Sequence, residues 1–417
     1  MKIRAGIVKS MGIYTLSNMI NASIPFVLLP VLTQYLSTDD YGILSNFGVV
    51  ANILLALVGI NLMASIQVQY LREEVDNRDY LTSVFRLNLL LTAVFSGLTY
   101  LFSGPLHDFT GVPLDILYLM GIYALFLTVV EVLLAVWRME DKAVHYGVFR
   151  IGRTVAEVSL VVFFVVINEM DFRGSVYAMM IAYAIGCIVA FGILLHKRLV
   201  FGRFRKDYLS HALRYGAPLI PHALGGLAIL YADKLILTYY HGLHANGVYS
   251  VGFLVGQSIG LLQNSFNQAW VPWVYQKLRK NERSDRLKMV KITYVYLGLI
   301  LVAVVMLWLV IPYIYSLLGK EFQAGMGLVL WIGLGFAFNG MYKMVSVYLF
   351  YLEKTMVIAT MSIGAAALNI VLNFMFVPKY AAEGAALATL TSMFVQFIIA
   401  WWISSRYLKM PWLLRNK

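Results

Sequence analysis

The chain has 417 residues, 60% of them apolar and only 13% charged, against about 45–50% and about 25% in ordinary soluble domains. A soluble protein must still cover its surface with polar groups, so this balance argues against a soluble enzyme, a disordered chain and a disulfide scaffold. The net charge of +12 suggests nucleic acid in a soluble protein, but basic loops on one face of a membrane explain it more simply.

A helix needs about 20 mostly apolar residues to cross a bilayer. In chain order the runs that qualify are Met11 to Leu36, Tyr41 to Ile66, Leu81 to Phe102, Leu114 to Trp137, Tyr146 to Ile167 and Val176 to His196. They continue with Pro218 to Tyr239, Gly247 to Trp270, Ile292 to Ile314, Gly327 to Leu352, Met356 to Phe376 and Gly384 to Ser404. These twelve predicted spans leave no loop long enough for a soluble domain. The basic start, with Lys2, Arg4 and Lys9, is not expected to be a cleaved signal peptide. Its apolar stretch is long, holds Asn18, Asn21, Pro25 and Pro30, and no small-residue cleavage site follows a short core. Cys187 is the single cysteine, so no disulfide within the chain is possible, and it reads as a small packed residue.

Charge sorts by loop. With the N-terminus inside, 25 of the 33 Lys and Arg fall in inside segments, among them Arg72, Arg78, Arg138, Lys142, Lys354, Arg415, Lys417 and the dense groups Lys197 to Arg214 and Lys277 to Lys291. Outside segments hold only Arg173, Lys320 and Lys379, and five cations lie within spans. Such an asymmetry sets topology. Both termini are expected in the cytoplasm, and no nucleic-acid partner is required.

The basic loop from Lys197 to Arg214 divides the chain into expected six-helix bundles, residues 1–205 and 206–417. An internal repeat supports the division. Leu32-Thr33-Gln34-Tyr35 and Tyr41-Gly42-Ile43-Leu44-Ser45 match Leu237-Thr238-Tyr239-Tyr240 and Asn246-Gly247-Val248-Tyr249-Ser250, with each identity offset by 205. Chance similarity between apolar hairpins is the competing explanation. The predicted fold class is an all-α integral membrane protein with twelve transmembrane helices in two six-helix bundles, related by a parallel pseudo-two-fold repeat. Repeats of this kind suit transport, since two bundles can rock around a site between them.

Polar side chains in hydrocarbon are costly and normally face a bundle interior or a wet cavity. Here they gather on the repeat-related hairpins: Ser17, Asn18, Asn21, Ser23, Thr33, Gln34, Asn46, Asn52, Asn61 and Ser65 in the first, and His222, Asp233, Lys234, Gln257, Ser258, Gln263, Asn264, Asn267 and Gln268 in the second. These hairpins are expected to face a central hydrated cavity. Interhelical hydrogen bonding, worth about 0.6 kcal/mol per contact, is the plainer explanation of any one Asn or Gln. Gly252, Gly256 and Gly260 form a small-residue stripe suited to close helix packing. Pro25, Pro30, Pro218 and Pro221 mark either bending points or fixed packing features.

The cations within spans are Arg86, Arg150, Arg153, Lys234 and Lys343. Arg86 and Arg150 lie near the inner surface and are expected to snorkel. Arg153 and Glu157 are four apart and can pair, while Glu131 on the preceding helix is placed to meet Arg150 or Arg153. That group reads as a structural ion-pair cluster or, functionally, as an ion or proton relay. Lys343 has no carboxylate three or four residues away, and Lys234 and Asp233 are adjacent and diverge by about 100°. An intramembrane lysine needs water or an anion, which a phosphate-bearing substrate supplies. Asp233 is also a candidate coupling-ion site. No G-x-x-x-x-G-K-[ST] or H-E-x-x-H motif occurs. No cofactor, metal site or catalytic residue is expected.

Several segments resemble one family. They are Leu36-Ser37-Thr38-Asp39-Asp40-Tyr41-Gly42, Tyr215-Gly216-Ala217-Pro218-Leu219-Ile220-Pro221, Ala232-Asp233-Lys234, Gly247-Val248-Tyr249-Ser250 and Gly384-Ala385-Ala386-Leu387-Ala388-Thr389. With the span count, the whole chain resembles the Wzx-type lipid-linked oligosaccharide flippases, bacterial polysaccharide transporters of the multidrug/oligosaccharidyl-lipid/polysaccharide exporter superfamily. The resemblance implies an inner-membrane protein that moves undecaprenyl-pyrophosphate-linked sugar units to the outer leaflet. The sugars pass through a central cationic cavity while the lipid tail stays in the bilayer. It implies a lipid-linked oligosaccharide, membrane lipids and other polysaccharide-assembly membrane proteins as partners, and it carries no fixed catalytic motif. On this reading Lys343, Lys234 and Arg153 meet the pyrophosphate or anionic sugar, with Asn18, Asn21, Asn52, Gln257, Asn264 and Asn267 along the path. The low cation count argues against a strongly acidic sugar unit.

Three rivals are weaker. An ion-coupled multidrug exporter needs buried carboxylates, and only Glu131, Glu157 and Asp233 are available. A membrane-embedded polysaccharide polymerase or ligase needs a large outside loop, which the short outside segments do not supply. A structural scaffold would leave the polar residues to packing alone.

Overall fold

Backbone N–H and C=O groups have no water to bond within hydrocarbon, so a long apolar run can only be helix or closed barrel. In the computed structural model the answer is helix throughout. The structure describes residues 2–70, 75–217, 219–280 and 282–413. Arg72, Pro218, Arg415 and Lys417 lie outside the described residues, as do the side chains of Lys2, Arg4, Lys9, Asn61 and His222. Two compact units follow one another, Met1–Leu227 and Ala228–Lys417.

In unit 1, α1 (Lys2–Tyr35) leads into α2 (Thr38–Leu55), which a π-helical stretch, Ala56–Ile60, joins to α3 (Asn61–Gln69). Then come α4 (Asn77–Leu101), the short α5 (Ser103–Thr110), α6 (Leu114–Met139), α7 (Ala143–Val161) with a π-helical extension Val162–Ile167, α8 (Phe172–His196) and α9 (Lys206–Gly216). The Ser37 hydroxyl accepts the Asp40 N–H at 3.1 Å while the Asp40 carboxylate accepts the Ser37 N–H at 3.3 Å. This capping box starts α2 where the repeated hairpin turns. The core joins α4, α6, α7, α8 and α9 through residues such as Leu81, Leu133, Trp137, Tyr146 and Leu194.

The chain continues as α10 (Leu219–Lys280), α11 (Arg283–Ser316), a 3₁₀ stretch Lys320–Gly327, α12 (Leu328–Tyr351) and α13 (Thr355–Tyr407). The 62 residues of α10 would reach about 93 Å as one rod, three times the hydrocarbon thickness. Both long helices break instead. Gly242 sits at φ 79°, ψ −178° in α10, and Ala381 at φ 47°, ψ −128° in α13. Each therefore has two legs. None of the prolines singled out in the sequence stands at a break, while Pro378 precedes Ala381 by three residues. Pro25 and Pro30 lie inside α1, and Pro221 falls in the first turn of α10, where backbone N–H groups have no partner to lose.

The glycine stripe packs α10 onto α12. A methyl group at Gly256 would lie 2.7 Å from Ile332 Cγ2, and one at Gly260 would lie 3.0 Å from Phe336 Cδ1. Only hydrogen fits there. At the 205-residue offset, Thr33 and Thr238 are both buried, and each hydroxyl donates to the carbonyl one turn back, Leu29 O at 2.8 Å and Lys234 O at 2.9 Å.

Among the described residues, nine helices are long and apolar enough to cross a membrane, α10 and α13 included. They run past the predicted spans because polar residues continue the helix beyond the apolar run. Thus α11 begins at Arg283 and α10 ends at Lys280. The basic segment before α10 is docked rather than free, since α9 packs on α3 and α4 with Ala212 and Gly216 buried. At the end of α6, Glu140 Oε1 accepts the Tyr70 hydroxyl at 2.8 Å, and Oε2 accepts Lys197 Nζ and, at 3.2 Å, Lys142 Nζ. Burial works against the charge, but the hydrogen bonds from Lys197, Tyr70 and Lys142 outweigh it and hold the Glu140 carboxyl below its ordinary value.

Two expected outcomes follow from this architecture. A carboxyl depressed in the folded state stabilises fully above its unfolded pKa of about 4.3 and loses that contribution as pH falls through the folded value. Glu140→Gln should therefore lower the unfolding midpoint of the detergent-solubilised protein at pH 7, and the gap to the parent should close below about pH 4. At the breaks, Gly242→Ala meets no atom within 4 Å, so its cost is purely conformational, about 1–3 kcal/mol. Ala381→Gly relieves the same kind of strain and should raise the midpoint. Thermal unfolding of both variants checks this.

Candidate functional site

The intramembrane polar residues gather in three clusters, each inside one unit. In unit 1, α1, α7 and α8 pack around Arg153. Its Nη1 donates to Glu157 Oε2 at 2.6 Å, with side chains 7% and 15% exposed. Its Nη2 donates to Asn21 Oδ1 at 3.1 Å, which also accepts the Thr154 hydroxyl at 2.9 Å. The guanidinium lies 4.1 Å from the centre of the Tyr183 ring. One turn away, the Tyr146 hydroxyl donates to Asn18 Oδ1 at 3.0 Å and accepts from Arg150 Nη1 at 2.5 Å. Arg150 is thus held on a tyrosine rather than simply snorkelling, and Arg86 lies over the Phe204 ring at 5.5 Å. Glu131, expected to meet Arg150 or Arg153, makes no ion pair among the described residues. The i,i+4 geometry had already given Glu157 that place.

The second cluster is built by all four legs of α10 and α13. Asp233 is fully buried. Its Oδ2 accepts the Tyr249 hydroxyl and, at 3.3 Å, the Thr389 hydroxyl, and its Oδ1 accepts the Lys234 backbone N–H at 2.8 Å. Asn369 Nδ2 donates to Thr389 Oγ1 at 3.3 Å and to Ser392 Oγ at 3.2 Å. Asn373 Nδ2 donates to Asn369 Oδ1 at 3.1 Å and to its carbonyl at 2.9 Å, and Asn373 Oδ1 is buried with no hydrogen-bond partner among the described residues. Lys234 stands beside two aromatic rings. Its Nζ lies 4.9 Å from the Phe253 ring centre and 5.7 Å from that of Tyr231, a cation–π setting. One carboxylate, two amide oxygens and two or three hydroxyls make an oxygen-rich pocket suited to a proton or a hard cation. Among the described residues no group of three His, Cys, Asp or Glu is placed to hold a metal ion.

Asp233 was singled out in the sequence; Tyr249, Thr389, Asn369, Asn373 and Ser392 were not. Tyr249 stands in the repeated hairpin motif and Thr389 closes the Gly384 to Thr389 motif, so both carried a signal. Asn369 and Asn373 sit four apart, hence on one helix face, in an otherwise apolar run.

In the third cluster, Lys343 Nζ on α12 donates to Asn264 Oδ1 at 2.8 Å. Asn264 Oδ1 also accepts from Gln263 Nε2 at 3.1 Å, which reaches Asn339 Oδ1 at 3.4 Å. Gln263 Oε1 and Asn267 Oδ1 are buried without a hydrogen-bond partner among the described residues. Lys343 makes no ion pair among the described residues. Gln257 is half-buried outside these networks. Asn52 is exposed and donates only to its own helix, at Gly48 O, 2.7 Å.

Residues 7–278 match the family of polysaccharide biosynthesis proteins. The chain belongs to this family. The Wzx-type resemblance carried by its sequence motifs is thereby borne out, and this family member is a multi-pass membrane protein. It is 20% identical to the capsular polysaccharide biosynthesis protein CapF of Staphylococcus aureus over 96% of this chain and 99% of CapF. A multidrug resistance MATE family transporter of the MOP superfamily, solved in an inward-facing conformation, superposes with a TM-score of 0.73 at 14% identity over 94% of each chain. Lipid II flippase MurJ, in an inward closed conformation, gives 0.72 at 15% identity, over 94% of this chain and 87% of MurJ. At such identities the likeness is one of fold, and both neighbours are transport proteins rather than enzymes.

Removing one partner of a buried ion pair strands the other. Glu157→Gln should therefore cost about 3 kcal/mol of stability, whereas Arg153→Met with Glu157→Leu should cost less than either single change. Unfolding curves of the three variants in one detergent decide between these outcomes.

Proposed function

We propose that the protein translocates an undecaprenyl-pyrophosphate-linked oligosaccharide, the repeat unit of a surface polysaccharide, from the cytoplasmic to the outer leaflet of the bacterial inner membrane by alternating access. The observation that carries the reading is membership of the polysaccharide biosynthesis family joined to the fold of a lipid flippase. In this reading the chain crosses the membrane twelve times with both termini in the cytoplasm. The two legs each of α10 and α13, and α7 with its π-helical extension, support that count. The matched threonines of the repeated hairpin support a parallel pseudo-two-fold repeat between residues 1–205 and 206–417.

Lys343 leads among the substrate contacts, because its partner is a neutral amide and its charge is free to meet a pyrophosphate or an anionic sugar. Asn264, Asn267 and Gln257 follow on the same unit. Arg153, Asn18 and Asn21 contribute only if the Arg153–Glu157 pair opens. Lys234, held between aromatic faces, and Asn52, bonded to its own helix, are the weakest members of the path. Asp233 with its hydroxyl and amide neighbours is the proposed coupling site for a proton or sodium ion, and Glu131 and Glu157 rank behind it. Other polysaccharide-assembly membrane proteins are the proposed partners.

The buried Asp233 cluster and the MATE-like fold also favour a second reading, an ion-coupled multidrug exporter. One strain separates the two. Deleting the gene where no redundant transporter exists should strand lipid-linked precursors on the inner leaflet, measured by their accessibility to an outside probe. Precursors that still reach the outer leaflet at the normal rate sink the flippase reading, and a loss of dye efflux alone supports the exporter. A hydrogen bond to a charged group is worth about 1.5–3 kcal/mol, so Lys343→Ala at unchanged expression should cut surface polysaccharide about tenfold or more. Asp233→Asn should remove the dependence of transport on the ion gradient.

A further inference from the structure

A groove runs between the two legs of α13, wholly within unit 2. It encloses about 380 Å³, within the range of small-molecule sites. Val357, Met361 and Leu368 form one wall, and Ile399 and Ile403 the other. The helix is long and apolar enough to span a membrane, and Thr360, Gly364 and Ile399 of the groove's own lining are exposed. In a bilayer the groove therefore opens to hydrocarbon.

Its two ends differ. The deep end is closed by Gln396, 5% exposed, whose Oε1 is buried and accepts no hydrogen bond. At the other end stand Lys354 and Arg406. Lys354 Nζ lies 5.5 Å from the Tyr407 ring centre, which ties together the ends of the two legs, and the Arg406 guanidinium lies 4.2 Å from that of Trp402. Both cations are exposed, as are Lys409 and the one carboxylate of this end, Glu353. None of the four makes an ion pair among the described residues, so this end is net cationic. From Gln396 to Arg406 the helix rises about 15 Å, half of a hydrocarbon core of about 30 Å. The apolar wall is one leaflet deep. The cations and the rings of Trp402 and Tyr407 stand at the level where such residues meet headgroups.

We propose that this groove is a binding site for an anionic phospholipid, with one acyl chain between the legs of α13 and the phosphate on Lys354 and Arg406. A zwitterionic headgroup would bring its own ammonium to a face that already carries three cations against Glu353. An anionic headgroup is drawn to it. Gln396 sets the chain length, since an apolar chain gains nothing beyond an amide. The site is separate from the Lys343 and Asp233 clusters and does not depend on the transport reading.

The test is native mass spectrometry of the full-length protein with phosphatidylglycerol and phosphatidylcholine of identical chains. The parent should retain phosphatidylglycerol several-fold better. Lys354→Ala with Arg406→Ala should lower its retention about fivefold per cation and leave phosphatidylcholine unchanged. Gly364 borders the groove and has no atom within 4 Å of an added Cβ, so Gly364→Leu puts apolar bulk into the groove and should displace both lipids. Undiminished phosphatidylglycerol in the charge variant overturns the headgroup assignment. Unchanged retention of both lipids by Gly364→Leu overturns the chain site. The charge variant alters only exposed side chains, so it reports even if Gly364→Leu does not fold.

Discussion

Hydrocarbon provides no hydrogen-bond partner, and every other feature of this molecule answers to that. The backbone closes its own bonds by becoming helix wherever the chain is apolar. Side chains cannot do this alone, so intramembrane polar groups appear in sets. Arg153 has Glu157 and Asn21, Asp233 has Tyr249 and Thr389, and Lys343 has Asn264. The same constraint explains why the two overlong helices break at single residues. At Gly242 and Ala381 one unusual φ/ψ pair reverses the chain without a loop of unsatisfied backbone. A longer connection would expose more of it.

The Asp233 cluster takes this furthest. A fully buried carboxylate is tolerated only where fixed dipoles replace its water. Here they come from four legs of two helices that lie far apart in sequence. Lys234, next in the chain, gives its backbone N–H to Asp233 and sets its ammonium beside the faces of Phe253 and Tyr231. A proton or cation arriving at the carboxylate would be felt by all four legs at once, which is the arrangement an ion-coupled conformational change requires.

Apolar length was legible because it is a one-dimensional property: the described residues of the predicted runs are helical but for Leu36, Phe102 and Leu352 just past helix ends, and Pro218 lies outside the described residues. The helix ends were not, since polar residues such as Arg283 and Lys280 continue a helix without any hydropathy signal. α9 was not legible from apolar length, because an eleven-residue helix with one apolar side and basic flanks has the composition of a basic loop. Pro25, Pro30 and Pro221 were legible as either bending points or fixed packing features, and neither break falls on one of them: the break residues are Gly242 and Ala381, the latter three residues after Pro378. In the sites, local spacing was enough for Arg153 and Glu157, four apart on one helix. It was not enough for Glu131, whose distance to Arg153 depends on how two helices rotate, nor for Asn369 and Asn373, whose partners are set by the fold of α13 on itself.

The two units settle their intramembrane charges differently. The charged cluster of unit 1 is closed, since the Arg153 guanidinium is shared among a carboxylate, an amide and an aromatic face. Opening it strands a buried charge. In unit 2, Lys343 holds a neutral amide, and Gln263 Oε1, Asn267 Oδ1 and Asn373 Oδ1 are buried acceptors with no donor. An unsatisfied buried acceptor costs about 1–3 kcal/mol, and it becomes favourable only when a donor arrives. Sugar hydroxyls are donors and pyrophosphate is an acceptor for ammonium, so Gln263, Asn267 and Lys343 would complement the phosphorylated sugar of the proposed function. Asn373 presents the complement of an ion beside Asp233. In the proposed function the Lys343 and Asp233 clusters of unit 2 would carry the responsive chemistry, while the Arg153 cluster of unit 1 is already satisfied by its own side chains.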